Sequence, residues 1–362
     1  MVAIFTNYNK GIIMKMIKTI ITVMMPILFI CCDDQRIESS ITVKLEKILE
    51  IGKEKGNENE IIGHPTDIYV NKSGELYLAD YAFKNVKKYS STGQFIKSFG
   101  KGEGKGPGEF LEPRGIDVDI SGNVYVVDMK KRNITVFDSL GSVIYILGTK
   151  MQPTFVQAFS PEEVFVVGFP NTYLDELIYK YNLEKSTTDP VKKFGERYSG
   201  AKKFEIENSG FSSRILKIND SEKGILLSDY YPYRIIFYDN LDGEQFQLKR
   251  DVSFYKPPYI KSQTPLYVYP LAGSVGLIKT KNLIIDYIFY VDEENKIIKP
   301  YLDFWDINTK EFLGCISEKE LGIKLGRYIF ADSSGFFYNY ENEPYPHITK
   351  YKLIIEKKTV KQ

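Results

Sequence analysis

The stretch GELYLADYAFKNVKKYSSTG at residues 74–93 returns as GNVYVVDMKKRNITVFDSLG at residues 122–141. Pro65 and Pro113, Gly74 and Gly122, Asp80 and Asp128, Asn85 and Asn133, Gly93 and Gly141, and Gly100 and Gly148 all stand at one offset, 48 residues. A short unit that recurs at a fixed period cannot bury its apolar faces alone, so its copies must stack on one another. This one feature reduces the architectures open to 362 residues to arrays and rings.

Within each copy, LYLAD and VYVVD, then NVKKY and NITVF, are short runs rich in β-branched and aromatic residues, which are strand signals. Ser73-Gly74, Ser121-Gly122, Thr92-Gly93 and Leu140-Gly141 supply the turns. The first copy therefore reads as four antiparallel strands, HPTDIYV, ELYLAD, NVKKYS and QFIKSFG. A four-stranded unit repeating every 40 to 50 residues or so is the signature of a β-propeller blade.

Weaker copies follow at residues 152–195, at KINDSEKGILLSDYYPYRIIFYDNLDGEQFQL, and at SVGLIKTKNLIIDYIFYV with PYLDFWDINTKEFLGCIS. A sixth, LGRYIFADSSGFFYNY with HITKYKLIIE, lacks a final strand. SITVKLEKILEIG at residues 40–52 is a strand with no unit of its own. It would complete the sixth blade and close the ring, removing the open seam. The expected fold is all-β: a six-bladed β-propeller of four-stranded antiparallel blades over residues 40–355, with a C-terminal tail at 356–362.

Residues 14–32 read MKMIKTIITVMMPILFICC, with Lys15 and Lys18 ahead of an uncharged apolar run from Thr19 to Ile30. That run is too short to span a bilayer and has the length of a secretory signal core. Residues 1–32 are expected to be a signal peptide, with Met14 or Met16 as alternative starts, and residues 33–39 a tether. The run ending in Phe29-Ile30-Cys31-Cys32 and followed by Asp33-Asp34 resembles a bacterial lipoprotein signal of the Bacteroidetes surface-export type. That resemblance implies lipidation at Cys32, or at Cys31, and an outer-membrane location, in the periplasmic or the surface leaflet. Acyl chains on one cysteine would then be the only membrane contact.

The pattern P-x-x-I-x-V-x-x-x-G-x-(V/L)-Y-(V/L)-x-D, followed by N-x-(V/T)-x-(Y/F) and the loop GKGEGKGPGEFLEPRGIDVD, resembles NHL repeats. Together with the signal, the chain is similar to six-bladed propeller lipoproteins of Bacteroidetes. This implies a fold and leaves activity open, because propellers host enzymes, sensors and scaffolds.

Several chemistries are excluded or weakened. With 48 basic against 47 acidic residues, no global field favours nucleic acid. The Gly-rich GKGEGKGPGEF has neither phosphate-loop spacing nor a following helix. His64 and His347 are the only histidines, too few for a three-His zinc site, so no metal site is assigned. A calcium site built from carboxylates and carbonyls, as in lactonase-type propellers, has no readable spacing, so no cofactor is assigned and Ca2+ stays open. Asp80, Asp128 and Asp229 recur, which points to loop capping, since an acid doing chemistry is needed once. Lone Cys315 reads as a small buried strand residue.

One constellation stands out. Thr66, Arg114, Arg214 and Arg327 occupy one register, each five positions before Asn71, Asp119, Asn219 and Asp332. Three arginines converging on the channel entrance would make an anion-binding cup, with Thr66, His64 and Glu112 at its rim. The competing reading pairs each arginine with a recurring aspartate, Asp128 or Asp229. No catalytic set can be named. The expected function is a monomeric, envelope-anchored, non-catalytic binding propeller whose ligand is a small anion, a glycan or an envelope protein. The alternative is a calcium-dependent hydrolase or lyase of the lactonase-like propeller type.

Overall fold

The computed structural model describes residues 39–170, 176–185, 187–195, 214–217, 224–229, 234–238, 245–248, 259–261, 268–270, 272–292, 297–326 and 329–358. All of them belong to the unit that begins at Ser39. The expected signal peptide, both N-terminal cysteines, most of the expected tether and Arg327 lie outside the described residues.

The chain opens with β1 (Ile41–Ile51). The first blade is β2–β5 (Pro65–Val70, Leu76–Asp80, Asn85–Tyr89, Phe95–Phe99) and the second is β6–β9 (Pro113–Val118, Val124–Asp128, Asn133–Phe137, Val143–Gly148). The third is β10–β13 (Met151–Ala158, Glu163–Pro170, Ile178–Asn182, Lys192–Phe194) and the fourth is β14–β17 (Arg214–Lys217, Ile225–Asp229, Arg234–Tyr238, Gln245–Leu248). A two-stranded ribbon, β18–β19 (Tyr259–Lys261, Val268–Pro270), precedes the fifth blade, β20–β23 (Ala272–Thr280, Leu283–Asp292, Ile297–Asp306, Phe312–Ser317). The sixth comprises β24–β26 (Ile329–Ala331, Phe336–Glu341, His347–Lys357) and, outermost, β1. The described residues thus form six four-stranded antiparallel sheets.

The expectation that the N-terminal strand completes the last blade holds: β1 pairs antiparallel with β26 from Ile41↔Lys357 to Ile51↔Ile348. The last strand runs to Lys357, two residues past the boundary expected from the sequence. The ribbon has no counterpart among the repeats.

Alternation explains why the blades must stack. In β3 every residue is buried: Leu76 and Leu78 pack toward Tyr338, Tyr340 and Ile348 of the sixth blade, while Tyr77 and Ala79 pack toward Val124, Val126 and Phe137 of the second. Similar apolar clusters join the second blade to the third, the third to the fourth, the fourth to the fifth and the fifth to the sixth. Each clustered aliphatic or aromatic side chain contributes about 1.5–3 kcal/mol on leaving water. These six interfaces close the ring. At Gly115 a Cβ would lie 2.6 Å from the Phe155 Cα, so only glycine lets the inner strands of the second and third blades approach this closely.

The hairpins repeat in detail. Asn71 Oδ1 accepts the Ser73 and Glu75 amides at 3.0 and 2.9 Å, and Asp119 Oδ1 accepts those of Ser121 and Asn123 at 2.8 and 2.9 Å. Asp332 Oδ1 does the same for Ser334 and Phe336 at 2.9 and 3.0 Å. Gly74 and Gly122 follow with φ of 77° and 82°, the left-handed conformation these turns require. Among the described residues, no helix is long and apolar enough to cross a membrane.

Candidate functional site

Two of the three recurring aspartates, Asp80 and Asp128, cap loops, and the side chain of Asp229 lies outside the described residues. Asp80 accepts the amides of Gly63 at 2.8 Å, His64 at 2.9 Å and Ala82 at 3.0 Å. Asp128 accepts those of Leu111 at 2.7 Å, Glu112 at 3.0 Å and Lys131 at 2.8 Å. Both carboxylates are fully buried, and each fixes the chain where it enters an inner strand. Lysines secure the same loops. Lys87 Nζ donates to the carbonyls of Glu58 and Ile61 at 2.7 and 2.8 Å, and Lys131 Nζ donates to those of Gly106 and Glu109 at 3.1 and 2.7 Å. The Gly-rich loop between the first two blades is therefore pinned to the second.

At the entry end of the inner strands, His64 is exposed and stacks edge-on with Tyr81, ring centroids 5.8 Å apart. Thr66 is buried, its hydroxyl 3.0 Å from the carbonyl oxygens of Pro113 and Arg114, so it joins the first and second blades. Arg114 does not pair with Asp128, whose oxygens receive backbone amides. Its guanidinium meets Glu112 instead, with Nε 3.1 Å from Oε1 and Nη2 on the same oxygen. Arg214 begins β14, in register with Ser228; its side chain and Arg327 lie outside the described residues. The structure thus brings Thr66, Glu112 and Arg114 together and gives Arg114 a carboxylate partner already in place.

Along the channel, inner-strand carboxylates tie successive blades. Asp67 Oδ2 accepts the Ile116 amide at 3.1 Å, and Asp117 Oδ2 accepts the Ala158 amide at 2.7 Å and Gln157 Nε2 at 2.5 Å. Thr280 Oγ1 donates to the Asp332 carbonyl at 2.6 Å. Sequence reasoning passed over these residues because they occupy no common offset.

Among the described residues the inner strands surround a central cavity of about 610 Å³, within the size range of small-molecule sites. Strands β2, β6, β10, β20 and β24, from five blades, contribute to it. It is lined near the hairpin turns by Asn71, Asp119, Ser160 and Ser333. Thr66, Arg114, His64 and Glu112 do not line it. Arg114 and Asp119 stand at opposite ends of β6, roughly 16 Å apart at 3.3 Å per residue. Deeper in are Asp67, Asp117, Gln157 and Lys279, with the half-buried rings of Tyr69, Phe155 and Phe330, while the half-buried ring of Phe159 sits at the turn after β10.

The carboxylates are held in fixed orientations. Asp119 Oδ2 accepts the Tyr125 hydroxyl at 2.9 Å and Asn123 Nδ2 at 2.8 Å, and Asp332 Oδ2 accepts the Tyr338 hydroxyl at 2.9 Å. Burial first, and then these carboxylate contacts, push both phenols well above their ordinary range, so they stay donors at any physiological pH. No group of three or more His, Cys, Asp or Glu side chains among the described residues is placed to hold a metal ion. Cys315 lies on β23 and is half-buried, more open than the buried strand position expected from the sequence.

A family model described as a 6-bladed beta-propeller matches residues 54–261. No curated protein matches the chain. Among solved structures, a Bacteroides fragilis protein described as exported aligns with a TM-score of 0.59 at 13% identity, covering 90% of this chain and 98% of that one. A member of the duf4221 family from Bacteroides vulgatus aligns with a TM-score of 0.59 at 10% identity, covering 88% and 99%. A Bacteroides thetaiotaomicron protein of unknown function gives 0.52 at 11% identity, covering 87% and 76%. At these identities the likeness is one of fold.

Proposed function

Since the chain belongs to the 6-bladed beta-propeller family, we propose that it is a binding protein, non-catalytic, that presents its central cavity to a small ligand. The observation that carries this reading is the cavity itself: about 610 Å³, framed by five blades and walled by preoriented polar groups and half-buried rings. A catalytic reading needs an acid, a base and a nucleophile or metal converging on one point. The carboxylates named here instead receive backbone amides and tyrosine hydroxyls, the work of positioning walls.

An anion at Arg114, the ligand class expected from the arginine register, would have to displace the Glu112 carboxylate. The chain is further proposed to be exported and held in the cell envelope by acyl chains on Cys32 or Cys31. The support is the signal-like run before these cysteines and the exported description of the Bacteroides fragilis protein.

Two experiments test the reading. A protein-free metabolite fraction from the source cells should raise the melting temperature of the wild type and not of Ser333→Trp, which fills the mouth from an exposed turn. Equal shifts in both proteins, or none in either, would contradict it. Replacing Cys31 and Cys32 with serine should move the protein from the membrane to the soluble fraction; unchanged fractionation would remove the anchor.

A further inference from the structure

Resting on the acyl anchor proposed above, the way this chain meets a membrane follows from where its first described residues lie and from what stands on the same face. In an antiparallel blade the turn after the first strand and the turn after the third lie at one end of the sheet. In the sixth blade that end holds the turn from Asp332 to Gly335, the last residues of β26 and the start of β1, with Ile41 opposite Lys357 and the Ser40 amide 2.8 Å from the Leu313 carbonyl oxygen. Asp332 and Asp119 both line the cavity, so the matching turns of the second blade stand on this same mouth face. Cys32 precedes Ser39 by seven residues. Fully extended, that stretch spans at most about 25 Å. Acyl chains on Cys32 would thus hold the mouth face, rather than the opposite one, close to the bilayer.

The second blade presents two apolar tips on that face. Ile120, in the β6–β7 turn, is 94% exposed, and Leu140, in the β8–β9 turn, is 82% exposed; no other large hydrophobic among the described residues exceeds 49%. The two turns are adjacent, since a Cβ on Gly122 would lie 3.5 Å from the Ser139 Cβ. The turn conformation does not call for apolar residues: the first blade has Lys72 and Thr92 at these positions, and the sixth has Ser333 where the second has Ile120. Both tips are held in place, because Asp119 Oδ1 accepts the Ser121 and Asn123 amides and Asp138 Oδ1 accepts those of Leu140 and Ser142 at 2.9 and 2.8 Å.

An Ile and a Leu fixed at the tips of adjacent turns keep apolar surface in water, an unfavourable arrangement that is relieved when the tips enter an apolar phase. Two projecting tips suit a deformable layer, and the short tether brings that layer within reach of them. We infer that the mouth face of the propeller docks on the lipid bilayer, with Ile120 and Leu140 entering its interfacial layer. Ile120 also stands at the rim of the cavity, so the mouth opens toward the lipid.

The test places a tryptophan reporter in the full chain, purified from the source cells and mixed with phosphatidylcholine–phosphatidylglycerol vesicles whose acyl chains are plain or brominated. Trp305, the single native tryptophan, is 1% exposed and supplies a constant background. Ile120→Trp and Leu140→Trp report the tips, and Tyr81→Trp reports the opposite face, where the β3–β4 turn lies. Vesicle flotation of the wild type, and of the chain with Cys31 and Cys32 replaced by serine, reports attachment separately. The expected result is a blue shift and a loss of intensity on brominated lipid at both tips, neither change at Tyr81→Trp, and flotation that the serine chain loses. Wild type that floats while the tips stay unquenched would overturn the docking and leave the anchor standing. Quenching at Tyr81→Trp, with or without the tips, would overturn the orientation. Quenched tips with equal flotation of wild type and serine chain would sustain the docking and remove the anchor, and wild type that fails to float would overturn both.

Discussion

The carboxylate of Asp67, on the inner strand of the first blade, accepts the backbone amide of Ile116 on the inner strand of the second at 3.1 Å. Asp117 repeats the arrangement toward Ala158 at 2.7 Å. Both carboxylates serve as ties between blades and as cavity wall, so stability and site geometry are coupled in this fold.

Asp67→Ala leaves the Ile68 and Ile116 amides without that acceptor in a buried setting, at a cost of about 1–3 kcal/mol. Asp117→Asn keeps an acceptor oxygen and should cost less. Urea denaturation of the two variants measures the difference; equal and negligible losses would show that the ties are not stabilising.

Lys87 is fully buried, its ammonium between the Glu58 and Ile61 carbonyls and 3.8 Å from Asp80. Burial pushes its pKa below the ordinary value, with Asp80 pulling the other way. Lys87→Met leaves the buried Asp80 without this cation and should cost about 3–5 kcal/mol. The neighbouring Lys88→Met, which breaks a more exposed pair with Glu75, should cost under about 1 kcal/mol. Thermal unfolding of both variants checks the ranking.

Arg114 and Glu112 form a partly exposed pair, with side chains 32% and 18% accessible. Arg114→Ala should therefore change stability by less than about 1 kcal/mol. A sulfate titration of wild type and variant separates the possibilities: a sulfate-dependent stabilisation that Arg114→Ala abolishes would establish an anion site at this end of the channel.

Near the seam, Glu50 of β1 accepts Lys47 Nζ at 2.8 Å and the Tyr345 hydroxyl at 2.5 Å. These bonds, Lys47 first, hold its carboxyl below the usual value near 4.5. A carboxyl depressed in the folded state contributes fully above its unfolded pKa, and the contribution is lost as pH falls through the lower folded value. The melting temperature of wild type should thus decline more steeply than that of Glu50→Gln below about pH 4.5; parallel curves would show that the cluster adds no stability.

How much of this was legible depended on whether a constraint was local. Gly74, Gly93, Gly122 and Gly141 all take positive φ, so each turn demands the same residue at the same place, and the 48-residue period survives in the first two blades. Asp80 and Asp128 likewise cap equivalent loops, and their recurrence announced that task. The cavity left no such trace. Tyr69, Gln157, Lys279 and Phe330 come from different blades, and each needs its side chain only once. The 48-residue counterpart of Asp67 is Gly115, because closeness to Phe155 rules there, while the second blade's tie is Asp117. The arginine register was real as spacing, but spacing could not reveal that Glu112, two residues away, already engages Arg114.

β1 closes this chain's own sixth blade and so fixes the ring that frames the cavity. Leu45 and Leu353 face each other across the β1–β26 seam, at the separation a disulfide spans between antiparallel strands. With the three native cysteines replaced by serine, Leu45→Cys with Leu353→Cys should oxidise to an intramolecular disulfide in a monomer whose melting temperature rises. Free thiols under oxidising conditions, or disulfides formed only between chains, would contradict it.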